Sequence, residues 1–359
     1  MELVFWLAVG LVVYVYAGYP AALGAWAWIT GTLRGNESDA EHRASAPLPD
    51  VTVIIAARNE ADRLGARIDN LLASDYPKSR MQIIVASDGS TDNTIDVLAP
   101  YAGCVELILL PRGGKARALN AAVSRARHPI LVFADARQRF APDTIGRLVR
   151  HFERLSIGAV SGELVLDCEQ SDSHSTVGDG IGAYWKYEKW LRRREAIVGS
   201  TLGVTGAVYA MRRALWQPLP PDTILDDVLG PMRIVMRGYR VVFDATALAF
   251  DHAADDVAAE TQRKVRTLAG NFQLLALEPR LLVPGMNPVW LQFVSHKLGR
   301  LAVPYALVAM FASSAWLVSS AWPYTVAFLG QVVFYGLAIY GVVLDRRRRG
   351  TSPLAEVMR

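Results

Sequence analysis

The sequence predicts an α/β domain built on a mostly parallel sheet and carried between membrane-spanning helices. Three observations predict it. Short apolar runs alternate with helical patterns from Val51 onward, polar residues stand just after several of those runs, and both ends of the chain carry long stretches without charge. Strands this apolar are buried on both faces, the habit of parallel sheets covered by helices. At 359 residues the chain has room for one large domain or two small ones, and 52% hydrophobic residues is high for a purely soluble protein.

From Leu3 to Thr30 there is no charged residue. About 20 apolar residues in a helix cross the hydrocarbon layer, so residues 1–30 are predicted as a transmembrane helix. A cleaved leader is the alternative, because Ala25-Trp26-Ala27 resembles a processing site, but the start has no basic residue and the apolar run exceeds the roughly 7–15 residues of a leader. Residues 31–49 are polar and proline-bearing and read as a linker. The domain at 50–270 opens with a strand at 51–57 and a helix at 60–74 that puts Leu64, Ile68, Leu71 and Leu72 on one face. A second strand at 83–86, a helix from about Asn93, a third strand at 106–110, a helix at 115–127 and a fourth strand at 130–134 continue the alternation.

Residues 271–300 have the mixed apolar and basic character of an interfacial amphipathic segment. Residues 301–345 are long enough for two transmembrane helices turning at Pro323, and the tail at 346–359 opens on four arginines. By the positive-inside rule that tail is cytoplasmic. The chain is therefore expected to be a multi-pass protein of the cytoplasmic membrane with its α/β domain and C-terminus in the cytoplasm. The net charge of +4, with basic clusters near apolar segments (Arg192-Arg193-Arg194 is another), points to anionic lipid rather than nucleic acid. Cys104 and Cys168 form no C-x-x-C, which suits a reducing compartment.

Ligands of such sheets bind beyond the carboxyl ends of the strands. Arg58-Asn59-Glu60, Ser87-Asp88-Gly89-Ser90 and Asp135 follow the first, second and fourth strands, so three loops converge polar groups on one edge. Turn and cap chemistry explains Gly89 and Ser90 to Asp92, and explains Asp88 less well. In "LPRGGKARALN" the spacing is not that of a P-loop, since Ala116 follows Lys115, yet a lysine beside glycines at a helix start is placed to meet an anion. Asp135 is the candidate metal ligand, since Mg²⁺ is held by one or two carboxylates together with substrate phosphates. Arg137 stands where a second acid would complete a pair, and a guanidinium matches phosphate directly. If the strand runs on through them, residues 135 and 137 share a face. The small residues of "GSTLGVTGAVYAMRR" either let backbone approach a ligand or simply make turns. Asp226-Asp227 precede an amphipathic helix, where one carboxylate caps and the other acts as a general base. Arg263, Lys264 and Arg266 in "ETQRKVRT" read equally as a solvated face.

In this order "VIIAARNE", "SDGSTDN", "GGKARALN", Asp135, "VTGAVYAMRR", "LDD" where T-E-D is usual and "QRKVR" where Q-x-x-R-W is usual resemble a membrane-bound family 2 glycosyltransferase of the GT-A fold, the group of cellulose, hyaluronan and poly-N-acetylglucosamine synthases. The resemblance runs from about Val51 to Arg266 and takes in the flanking membrane segments. It implies a nucleotide-sugar donor, a UDP-sugar favoured, bound by Asn59, Glu60, Asp88, Asp135, Gln262, Arg263 and Arg266, to which the chemistry of the residues adds Lys115 and Arg137. It implies Asp227 as the base of an inverting transfer, with Thr205, Gly206 and Asp226 on the acceptor side. It also implies Mg²⁺ or Mn²⁺ at Asp135. His252 is a further ligand or a structural histidine. Arg137 in place of the second acid of D-x-D weakens the case for obligatory metal. Thr267 in place of the tryptophan removes a stacking platform and favours single transfer over processive synthesis. The expected acceptor is lipid-linked or a glycan, at the membrane lipid surface. A processive synthase, and an inactive nucleotide-sugar-binding subunit serving a partner protein, are the competing expectations.

Overall fold

The computed structural model describes residues 1–34, 47–167, 176–252 and 257–348. In chain order the elements are α1 (Glu2–Val13), α2 (Tyr19–Arg34), β1 (Val51–Ala57), α3 (Ala61–Leu72), β2 (Met81–Asp88), α4 (Thr94–Leu98), β3 (Val105–Leu110), α5 (Lys115–Arg125), β4 (Ile130–Ala134), β5 (Arg139–Phe140), α6 (Thr144–Arg150), β6 (Ile157–Asp167), α7 (Thr176–Val198), β7 (Val208–Arg212), α8 (Asp226–Met236), β8 (Arg240–His252), α9 (Val257–Leu277), α10 (Trp290–Gln292), α11 (Gly299–Trp316) and α12 (Trp322–Arg348). The chain divides into two compact units, one of Met1–Ala21 with the chain from Ser295 on, the other Ala22–Val294.

The second unit is built on one eight-stranded sheet of order β3-β2-β1-β4-β7-β6-β8-β5. Its first four strands in that order are parallel. β1 is buried at nearly every position because helices cover both faces of the sheet. α3 seats Leu64, Ile68 and Leu71 in the core, at the i, i+4, i+7 spacing of one helix face. With them lie Val53, Ile55, Val85, Val132 and Val160, and α6 adds Ile145 and Leu148.

Four elements went unread in the sequence: the short β5, α6, β6 and α7. β7 runs antiparallel to β4 and to β6, while β6 and β8 are parallel to each other. That reversal has a functional consequence. The entry to β7 and the exits of β6 and β8 lie on the same edge as the carboxyl ends of β1 to β4. Between β1 and β4 the winding reverses, which makes the switch point where ligands of open sheets bind.

Three helices are long and apolar enough to cross a membrane, Glu2–Thr32, Trp290–Trp316 and Trp322–Gly341. Phe5 packs edge-on against Tyr324 at 4.9 Å, and Tyr14 and Ser295 join their hydroxyls at 2.7 Å. The apolar helix expected from 301 begins at Trp290 and so absorbs part of the expected interfacial segment. The break between the last two helices falls at residues 317–321, just before Pro323. Pro323 sits in the first turn of α12, where its missing N–H costs nothing. Arg346 to Arg348 continue that helix, and the rest of the basic tail lies outside the described residues.

Candidate active site

The loops after β1 and β2 are laced together. Asn59, in left-handed conformation (φ 54°), accepts the Thr91 N–H through Oδ1 at 2.8 Å and donates its own N–H to Ser90 Oγ at 3.1 Å. Asparagine tolerates this region better than most residues. Asp92 accepts the Ala61 N–H at the start of α3 and the Thr94 N–H and hydroxyl at the start of α4. Glu60 pairs with Arg63 at 2.7 Å. Asp88, almost fully buried, accepts the N–H groups of Gly113 (2.6 Å) and Gly114 (2.9 Å). It therefore positions the loop that begins α5. Gly89 at φ 63° lies so near this loop that a Cβ would stand 2.6 Å from the Arg112 nitrogen.

That loop delivers Lys115 as the first residue of α5, after Gly114 at φ 86°. The ammonium lies 3.4 Å from Asp135 Oδ1, just beyond β4, and 3.4 Å from Asp226 Oδ2, at the start of α8. Burial alone lowers a lysine, but Asp226, Asp135 and Asp227 outweigh it and hold Lys115 above the ordinary lysine range. Asp226 is 6% exposed and Asp135 38%. Beneath this group Tyr209 of β7 stacks on Phe133 of β4 at 4.4 Å. Its burial and the same three carboxylates push the phenol well above its usual range, so it stays a neutral floor to the site.

Asp226 and Asp227 do not precede the helix as a cap. They are its first two residues, and Leu225 occupies the cap position. Carboxylates there face the positive end of the helix dipole. The Asp227 carbonyl accepts the Val204 N–H at 2.9 Å, which draws the 199–206 loop against α8. A Cβ on Gly206 would come within 3.5 Å of Asp227 Oδ2, so the glycine keeps one side of that carboxylate open. Thr205 binds Ser161 of β6 by its N–H at 2.9 Å and receives Arg192 at 3.1 Å.

The expectation that residues 135 and 137 share a strand face is corrected. β4 ends at Ala134, and the turn that follows sends the two side chains to different partners. Asp135 meets Lys115, while Arg137 binds Asp251 at the end of β8. Asp251, Gln138 and Arg67 were missed in the sequence. The signal for Asp251 was an acid closing the apolar strand "ALAF". Arg67 of α3 is 2% exposed, lies 4.0 Å over the Phe140 ring and donates to Asn70. Its burial pulls the guanidinium down to about 9 against the attraction of Asp135.

Gln262, Arg263 and Arg266 sit on exposed turns of α9 and are not among the side chains gathered around Lys115. The side chain of His252 lies outside the described residues. The arginines at 192–194 have separate partners: Arg192 reaches Thr205, Arg193 pairs with Glu163 at 2.9 Å, and Arg194 lies 5.6 Å over Trp190.

A divalent cation, the group the resemblance implies, is held ahead of the donor only where several carboxylates converge, since otherwise substrate phosphates must supply its ligands. Among the described residues no three His, Cys, Asp or Glu side chains converge as ligands. Asp135 faces an ammonium, and the place of the second acid is taken by a guanidinium. The described side chains do not fit a resident cation.

Residues 52–217 match the family model described as glycosyl transferase family 2. A poly-beta-1,6-N-acetyl-D-glucosamine synthase of Staphylococcus aureus is 23% identical over 245 residues, 64% of this chain and 56% of its own length. An N-acetylglucosaminyltransferase of Rhizobium sp. (strain N33) is 26% identical over 284 residues, 74% of this chain and 62% of its own. The chain thus spans little more than half the length of these relatives. The solved mannosyltransferase PcManGT from Pyrobaculum calidifontis, in complex with GDP-Man and Mn²⁺, superposes with a TM-score of 0.67 at 24% identity, over 93% of this chain and 92% of that one. That likeness shows the fold, a mixed sheet of the GT-A type.

Proposed function

We propose that the chain, whose residues 52–217 match the glycosyl transferase family 2 model, moves a sugar from a nucleotide-sugar to a lipid-linked or polysaccharide acceptor at the cytoplasmic face of a membrane, with inversion at the anomeric carbon. The observation that carries this reading is the meeting of Asp135, Lys115 and Asp226 beside Asp227 at the switch point of the sheet. Asp227 takes the proton of the acceptor hydroxyl. The freed oxygen bonds to the anomeric carbon, and the bond from that carbon to the diphosphate oxygen breaks with its electron pair staying on the leaving group. Lys115, shared by Asp135 and Asp226, is the cation placed to meet the charge that develops there. Asp88 acts through the Gly113-Gly114 loop that seats Lys115. Asn59 and Glu60 border the nucleotide side, while Thr205 and Gly206 border the acceptor side. Gln262, Arg263 and Arg266 join only if α9 approaches when donor is bound. The apolar helices and the arginines at the end of α12 support a membrane setting with the domain on the cytoplasmic side.

The test is nucleoside diphosphate release by the full-length protein in detergent, across UDP- and GDP-sugars with membrane lipid extract as acceptor. Asp227→Asn is expected to lower turnover by about 10²–10⁴-fold, the worth of a positioned base, while donor binding is kept. Equal turnover in variant and wild type refutes Asp227 as base. Donor binding with no turnover in either, even when partner proteins are added, supports the inactive-subunit reading instead. Long products would make the chain a processive synthase, the activity carried in the name of the Staphylococcus relative.

A further inference from the structure

Arg137 is mounted as well as exposed. Asp251, 1% exposed on its side chain, binds Arg137 Nη2 through Oδ2, and the same oxygen accepts Gln138 Nε2 at 2.9 Å. Two consecutive side chains of the turn after β4 are thereby held by one buried carboxylate. The carboxylate is itself fixed, because Asp251 pairs with Leu166 in the β6–β8 ladder. The turn is pinned a second time where Arg139 and Phe140 of β5 pair with Phe250 and Ala249 of β8. Among the described residues Asp251 Oδ1 is buried without a hydrogen-bond partner, so the site bears the cost of a buried acid. Gln138 alone would anchor the turn without a charge. The acid's remaining effect is to hold a guanidinium that stays 44% exposed, two residues from Asp135.

We infer that Arg137, mounted on Asp251 and Gln138, is the fixed cation that binds the donor diphosphate where a divalent ion would otherwise be held, and that donor binding needs no such ion. The inference rests on the transferase reading. A guanidinium has five N–H groups in a planar fork, so those not given to Asp251 remain to match phosphate oxygens. It stays charged at any physiological pH. As with a metal ion held by two carboxylates, the Arg137–Asp251 pair is near neutral in sum while its positive end faces the ligand. Lys115 supplies the second positive group. Gln138 and Asp251 are positioning residues, since they act through Arg137.

The experiment is equilibrium binding of UDP, GDP and the matching monophosphates to the full-length protein in detergent, by calorimetry, in EDTA and then in Mn²⁺. Wild type is expected to bind one diphosphate in EDTA with a Kd within about twofold of that in Mn²⁺. Arg137→Ala should weaken the diphosphate at least tenfold, about 1.4 kcal/mol, and the monophosphate less than threefold. Asp251→Asn should weaken the diphosphate by a smaller factor. If Arg137→Ala unfolds by leaving Asp251 unpaired, the double variant Arg137→Ala/Asp251→Asn gives the same reading. The inference is overturned if wild type binds diphosphate only with Mn²⁺, or if the folded variant binds in EDTA as wild type does. If no diphosphate binds wild type in either condition, the transferase reading falls with it.

Discussion

Replacing Lys115 by methionine removes the one ammonium shared by Asp135 and Asp226, and the structure sets the size of the effect. Each carboxylate lies 3.4 Å away. At an effective dielectric of about 20 each contact is worth about 5 kcal/mol before desolvation is counted. Lysine is 33% exposed and Asp135 38%, so their contact is largely screened and contributes below about 1 kcal/mol. Asp226 is 6% exposed. Stripping the partner from a buried acid costs about 3–5 kcal/mol, and the partial exposure of Lys115 roughly halves that figure. The expected loss is about 2 kcal/mol at pH 7, a fall of about 4–8 °C in the melting midpoint of a domain this size. Because the folded-state pKa of Lys115 is raised, its contribution is whole below about pH 10.4 and disappears only as pH rises beyond that. Thermal melts of the detergent-solubilised protein, followed by tryptophan fluorescence, supply the measurement. The double variant Lys115→Met/Asp226→Asn should recover at least half of the loss, since it leaves no buried charge without a partner. A single variant that melts within about 1 °C of wild type, or a double variant no better than the single, refutes the reasoning.

Two further outcomes are expected. Gly89→Ala forces a side chain into a left-handed position, at about 1–2 kcal/mol, and drives its Cβ to 2.6 Å from the Arg112 nitrogen. The melting midpoint should fall and diphosphate binding weaken together, because the same loop seats Lys115. The Asp244 carboxyl is raised by burial but pulled down further by hydrogen bonds from His151 (2.9 Å) and Thr246, to about 2. Its stabilisation is therefore present above about pH 4 and lost as pH falls toward 2, about 2 kcal/mol in all. Asp244→Asn should flatten the dependence of the melting midpoint on pH in that window.

What the sequence by itself determined was the first half of the sheet and the edge that carries the chemistry. Val51–Ala57 and Ile130–Ala134 read as strands because strands covered on both faces need unbroken apolar runs, and the polar residues after them are where the chain must turn. The charge-free ends were legible for a similar reason, since a helix able to cross a membrane needs uninterrupted apolar length. The tertiary structure alone decided how the second half closes the site. β6 and β8 carry bulged, mixed patterns whose partners are set by register, and β7's reversal brings residues 205 and 206 and the start of α8 to the edge. Arg137 and Asp251 lie 114 residues apart. No local propensity encodes such a pair. It exists because the turn after β4 and the last strand of the sheet are pinned side by side, and only there does an arginine in the place of an acid gain a buried carboxylate to hold it.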